Sequence, residues 1–192
     1  MNRVEYRAFG VDPKQSRKAL MAELTISGHD SRCDIYLLLA KASSVFKLRD
    51  GTALDLKRLV ERHHRYEQWE PSGCCCLPAT GKDLRVAFGR GSGLPEFDQD
   101  RHHDQQAVLH VFGAAGFHAV PVVKHRTRFK QGPCAAELTR VDAAGHPETW
   151  TLAIEGPSPD SLHKLSTRIG LSTTANVSYP EWLGSRIHPE PH

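Results

Sequence analysis

Apolar and polar residues alternate with a period of two along much of this chain. Val4 and Tyr6 stand opposite Glu5 and Arg7, Phe46 and Leu48 opposite Lys47 and Arg49, and Leu54 and Leu56 opposite Asp55 and Lys57. Leu138 stands opposite Glu137 and Thr139, and Trp150, Leu152 and Ile154 opposite Thr151, Ala153 and Glu155. The strongest case is Val123 to Lys130, where Lys124, Arg126, Arg128 and Lys130 share one parity and Val123 and Phe129 the other. Successive side chains of a strand point to opposite faces, so this pattern predicts strands with one apolar and one charged side. A strand carrying four cations on one face is poorly suited to an apolar core. It suits a wet, charged cavity.

The same pattern, with its turn signals, predicts strands at Arg3 to Phe9, Asp34 to Leu39, Ser44 to Arg49 and Ala53 to Val60. The dipeptide Asp50-Gly51 marks a hairpin between the last two. Further strands are expected at Arg65 to Glu70, closed by Pro71, at Leu84 to Phe88, at His118 to Lys130, at Ala135 to Val141 and at Trp150 to Glu155. Asp12-Pro13 predicts a helix start, with Gln15 closing the cap and Gly28 as its stop. Gln99 to Gly113 reads as a central helix, and Ser158-Pro159 opens another with Leu162, Leu165 and Ile169 at helical spacing. Tyr179 to Leu183 is expected to form a short turn, and Trp69, Trp150 and Trp182 to pack. Strands with inserted helices and no β-α-β rhythm place the chain in the α+β class.

An open sheet with a solvated face would account for the alternation. These faces, however, repeatedly set Arg or Lys two residues apart, and closure removes unpaired edges. The expected fold is therefore an eight-stranded antiparallel β-barrel forming a polar tunnel, with helices covering its outer side. The cations within it would repel one another without a guest, and polyphosphate is their natural one because guanidinium forks match phosphate oxygens. Glu5, Glu137 and Glu155 on the same side would repel that guest unless Mg²⁺ or Mn²⁺ lay between.

Composition narrows the choice. With 192 residues, 39% hydrophobic content and a mean hydropathy of −0.46, one polar folded domain is expected over 1–186, with a frayed tail at 187–192. No apolar run approaches a membrane span, and the first residues read as strand rather than signal peptide, so the expected location is cytoplasmic. The net charge of +3 does not by itself mark a nucleic-acid binder. The five cysteines include three in a row, Cys74 to Cys76, and the 12 histidines match no zinc-ligand spacing, so neither set predicts a metal centre.

These residues resemble the CYTH superfamily, the triphosphate tunnel metalloenzymes, over most of the chain. The likeness runs through Val4-Glu5-Tyr6-Arg7, Phe46 to Gly51 with Leu56-Lys57, the Gly113 to Phe117 helix end, and Val123 to Arg126. It continues through Ala136-Glu137-Leu138, Gly145, Ile154-Glu155-Gly156, Ile169-Gly170-Leu171 and Ser178 to Leu183. The resemblance implies an eight-stranded tunnel that handles triphosphates. By position it makes Arg7, Lys47, Arg49, Lys57, Lys124 and Arg126 phosphate ligands, and Glu5, Glu137 and Glu155 metal ligands for Mg²⁺ or Mn²⁺. Arg128 and Lys130 would reach the tunnel mouth or solvent. Two positions depart from the family's acidic pattern, Arg3 and Ala153.

The leading expectation is a metal-dependent phosphohydrolase of inorganic or small organic triphosphates, with Lys57, Arg126 and Glu155 closest to the chemistry. The alternatives are a catalytically weak or inactive polyphosphate- or nucleotide-binding module, RNA 5′-triphosphate binding or processing, and adenylate cyclase. Nucleic acid and membrane are not expected partners, and a monomer and a homodimer are both open.

Overall fold

The computed structural model describes residues 3–39, 44–171 and 173–187. Strands β1 (Val4–Phe9), β2 (Thr25–Leu38), β3 (Ser44–Arg49), β4 (Ala53–His63) and β5 (Tyr66–Cys76) precede a short pair, β6 (Ala79–Thr80) and β7 (His102–His103). Strands β8 (His118–Gln131), β9 (Cys134–Ala143) and β10 (Thr149–Gly156) follow. Eight of them close into an antiparallel barrel in the order β1-β10-β9-β8-β2-β3-β4-β5, and β6 pairs with β7 apart from it. The helices are α1 (Pro13–Glu23), α2 (Gly81–Phe88), α3 (Gln105–Ala114), α4 (Pro159–Arg168) and α5 (Tyr179–Ile187). None is long and apolar enough to cross a membrane.

The two parities divide as the alternation requires. Outward residues form two apolar clusters that the helices cover. Tyr6, Leu138, Leu152 and Ile154 meet Leu20 of α1 and Leu162 and Leu165 of α4. Phe46, Leu48, Leu54 and Leu56 meet Leu84 and Phe88 of α2 and Val108 and Phe112 of α3. Phe112 is fully buried, with ring centroids 5.1 Å from Phe46 and 4.9 Å from Phe117.

Local chemistry fixes the helix starts. Asp12 accepts from the Gln15 amide and Asp104 from the Ala107 amide, and reciprocal capping boxes open α2 at Thr80/Asp83 and α4 at Ser158/Ser161. Asp50 and Gly51 both take positive φ, the turn the hairpin needs.

Several expectations are corrected. Leu84 to Phe88 is helix, because the Thr80 cap starts α2 and Leu84 and Phe88 then fall on one buried face. Strand β5 continues through Pro71 to Cys76, where a register shift opposite Leu56/Lys57 absorbs the proline. Gly28 does not stop α1, which ends at Glu23; it lies in β2, where the register shifts between Ile26 and Gly28. The central helix starts at Gln105, after the Asp104 cap, and not at Gln99. Helix α5 is a nine-residue helix where a short turn was expected. Of the tail expected at 187–192, Ile187 ends α5 and 188–192 lie outside the described residues.

Replacing Phe112 by alanine removes the ring shared by α3, β3 and the Phe117 turn. A loss of about 3–5 kcal/mol is expected in urea unfolding. A loss below about 1 kcal/mol would mean that this cluster does not hold α3 to the barrel.

Candidate functional site

Inward residues of the barrel divide into two zones. One end of the lumen is apolar: Tyr36, Leu38, Val45, Val120, Val122, Val141 and Ala143 pack with Tyr179 and Leu183 of α5. The Asn176 side chain accepts from the Arg7 amide at 2.8 Å, and the Val177 amide donates to the Arg7 carbonyl at 2.8 Å. These two bonds strap the segment before α5 onto β1. The Ser178/Glu181 cap then starts the helix with Tyr179 pointing inward.

Below this apolar zone lies a cavity of about 250 Å³. Its wall carries seven cationic side chains, Arg7, Arg32, Lys47, Arg49, Lys57, Lys124 and Arg126, and four acidic ones, Glu5, Asp55, Glu137 and Glu155. Tyr36, Trp69 and Tyr179 complete it. A wider cleft outside, lined by Arg3, Glu70 and Pro71, shares Glu5, Lys57, Trp69 and Glu155 with the cavity. The mouth is therefore on this side.

The cations do not stand unopposed, as a lumen without a guest was expected to leave them. Asp34, fully buried, lies 2.7 Å from Lys124 Nζ, 3.1 Å from Arg32 Nε and 3.8 Å from Lys47 Nζ. Asp55 pairs with Arg49 and, at 3.9 Å, with Lys47. Arg7 donates to Glu5 at 3.2 Å and to Thr151 at 3.1 Å, and lies 3.6 Å from Glu137. Arg126 lies 2.6 Å from Asp30 and 3.3 Å from Glu137. Among the described residues Lys57 is the one lumen cation without an ion pair.

Rings shield the innermost charges. Lys124 donates to the Tyr36 hydroxyl at 2.8 Å and lies 4.1 Å from the Tyr179 ring centre, and the Arg7 guanidinium lies 4.6 Å from the same ring. Burial pushes the Lys124 ammonium down to about 7 and that of Lys47 down to about 8; Asp34 opposes the shift and Arg32 adds to it. Burial and then Glu5 push the Glu155 carboxyl up. Burial would also raise Glu137, but Arg7, Arg126 and the Thr139 hydroxyl outweigh it and hold that carboxyl below the usual glutamate range.

The structure thus brings together Glu5, Arg7, Lys47, Arg49, Lys57, Lys124, Arg126, Glu137 and Glu155 on one cavity. Arg128 is not on its wall; half exposed, it pairs with Asp30 at 3.1 Å and, with Lys130, lines a small neighbouring cleft that shares Glu137 and Glu155 with the cavity. Of the three tryptophans, Trp182 stacks on Phe9 and Trp150 packs against the first cluster, whereas Trp69 also faces the cavity. Sequence reasoning missed Asp30, Arg32, Asp34, Tyr36 and Tyr179. The first four alternate on β2 and carried the same signal as the other strands.

The carboxylates do not fit a resident Mg²⁺ or Mn²⁺. Among the described residues no group of three or more His, Cys, Asp or Glu side chains converges as a metal site. Glu5 and Glu137 flank the Arg7 guanidinium, and Glu155 pairs with Arg3 at 3.3 Å.

No family model matches this chain, and no curated protein does. Solved structures match along nearly its full length. The PH1012 protein of Pyrococcus horikoshii OT3 superposes with a TM-score of 0.61 at 17% identity, covering 94% of this chain and 98% of that one. A conserved hypothetical protein of Pyrococcus furiosus gives 0.58 at 14% identity, covering 93% and 98%. What these matches share with this chain is the fold, a closed eight-stranded antiparallel barrel covered by helices. The PH1819 protein of P. horikoshii OT3 adds a third match at 0.56 and 13% identity, covering 96% and 99%. At such identities the likeness extends to the architecture, and the site must be argued from this chain's own residues.

Asp34 neutralises buried cations from three directions. Replacing it by alanine leaves them uncompensated, and a loss of about 3–5 kcal/mol is expected in chemical denaturation. A change below about 1 kcal/mol would mean that the cluster tolerates the missing charge by admitting water.

Proposed function

We propose that the barrel lumen binds a triphosphate group, as inorganic polyphosphate or carried by a small organic molecule. The observation that supports this reading is the convergence of seven cations on one cavity of about 250 Å³, with Lys57 lacking any ion pair and standing at the mouth side. Guanidinium groups of Arg7, Arg49 and Arg126 offer paired N–H donors that match phosphate oxygens, and Lys47, Lys57 and Lys124 add compact charge. A bound polyanion would exchange with the internal carboxylates for these donors. Lys57 would be met first, having nothing to give up.

Hydrolysis is a second reading, and one observation favours it. Glu155 lines both cavity and mouth, and burial next to Glu5 raises its proton affinity, which suits taking a proton from an attacking water. Lys57 and Arg126 would then offset charge developing on the transferred phosphoryl group. RNA 5′-triphosphate binding would need a basic track leading away from the cavity. The outer cleft instead mixes Arg3 and Lys57 with Glu70 and Glu155.

Titration calorimetry with sodium tripolyphosphate should detect binding to the wild-type protein. Lys57→Ala should weaken it about tenfold, or 1.4 kcal/mol, with unfolding stability unchanged within about 0.5 kcal/mol. No heat with the wild type, or no effect of the substitution, would remove this reading.

Proton linkage gives an independent check. A polyanion favours the ammonium forms of Lys124 and Lys47, which lie near 7 and 8 in the free protein. Binding near pH 8 should therefore take up protons, and affinity should fall as pH rises through 7 to 8. Titrations in buffers of different ionisation heat measure the uptake. Proton release would contradict it.

For the second reading, phosphate release from tripolyphosphate should be measurable and drop at least about a hundredfold in Glu155→Ala. Binding without release would leave the lumen as a polyphosphate-binding module.

A further inference from the structure

Every lumen carboxylate that could serve a divalent ion already faces a guanidinium. Arg3 precedes Glu5 by two residues on β1's polar parity; its Nε lies 3.3 Å from Glu155 Oε2, and its Nη2 donates to the Glu155 carbonyl at 3.2 Å. Arg7 holds Glu5 through Nε at 3.3 Å and Nη2 at 3.2 Å, and reaches Glu137 at 3.6 Å. The far oxygen of Glu137 is taken by Arg126 at 3.3 Å. A guanidinium cannot lose its proton to make room for a metal ion. A metal at any of these carboxylates would leave a displaced arginine beside it.

The charge balance points the same way. Seven cations on the wall face its four acids together with Asp30 and Asp34, which pair with those cations, so the cluster stands at +1 and a divalent ion would raise it to +3. Across the β1–β10 ladder Glu5 pairs with Glu155, so the two residues share one edge of the lumen, and each carboxylate there has its own arginine, Arg7 for Glu5 and Arg3 for Glu155. A polyphosphate entering here meets fixed guanidinium groups where a metal complex would bring its own cation.

We propose that this site takes its polyphosphate as the free anion rather than as a metal complex, with Arg3 and Arg7 supplying the charge neutralisation that a divalent ion would otherwise bring. The inference rests on the polyphosphate reading above, and one experiment separates the two. Sodium tripolyphosphate is titrated into the full chain by calorimetry, in EDTA and again with excess MgCl₂. Binding is expected in EDTA, with an apparent Kd that stays within about twofold or grows when Mg²⁺ sequesters the free anion. Binding confined to Mg²⁺, or more than about twofold tighter with it, overturns this inference and leaves the polyphosphate reading standing. No binding in either condition overturns both.

Arg3→Glu supplies the second arm. It places carboxylates at positions 3, 5 and 155 on one edge and removes the guanidinium that pairs with Glu155. Its Kd in EDTA should rise about tenfold, and MgCl₂ should recover the loss. A variant that binds in EDTA as the wild type does, and ignores Mg²⁺, would remove Arg3 from the account.

Discussion

Charge compensation inside a closed barrel is the constraint on which this structure depends. Asp34 has no exposed surface, and Lys124, Lys47 and Arg7 are almost as deep. Ions removed from water cost several kcal/mol each unless opposite charge and hydrogen bonds replace the solvent. The chain meets that demand by seating carboxylates among the cations, from Asp30 and Asp34 on β2 to Asp55 on β4 and Glu137 on β9. It adds the faces of Tyr36 and Tyr179 over the innermost lysine. The outer apolar clusters can then hold the helices while the inside stays charged.

Such an interior is not a route to stability, because well-packed hydrophobic residues of similar volume commonly do as well. A fold that keeps this many buried charges violates the usual economy of a core, and violations of that kind concentrate at functional sites. The internal carboxylates fix the orientation of the lumen cations they pair with, Arg7, Arg32, Lys47, Arg49, Lys124 and Arg126, in the absence of any guest. The depressed ammonium groups of Lys124 and Lys47 follow from the same confinement, since the cavity cannot fully solvate them.

Much of this was legible in the alternation of the strands. The parity of Glu5/Arg7, Lys47/Arg49, Asp55/Lys57 and Lys124/Arg126 placed all eight residues on the cavity they share. The failure on β2 has a local cause. Gly28, taken as a helix stop, hid the first half of a strand whose Asp30, Arg32, Asp34 and Tyr36 alternate as clearly as the rest. Without them the cations lacked their counter-charges, and a repelling lumen followed. Helix α2 was misread because Leu84 and Phe88 fit either element, and only the Thr80/Asp83 cap decides. Tyr179 could not be found by periodicity. Its place depends on Asn176 and Val177 bonding to Arg7, a contact between the two ends of the described chain.

The barrel is not equally strong around its circumference. Strands β2 and β8 are joined from Thr25 to Leu38, whereas β1 and β5 meet only through Val4↔Gln68 and Glu5↔Glu67. At this narrow joint two carboxyl-bearing residues stand side by side, and burial, then Glu181 and lastly Glu5, push the Glu67 carboxyl up against the Trp69 hydrogen bond and Arg62. A cylinder parts first where the fewest bonds must break. Glu5 belongs to this joint, and Lys57 and Trp69 line the same cleft, so parting there would widen the opening of the cavity.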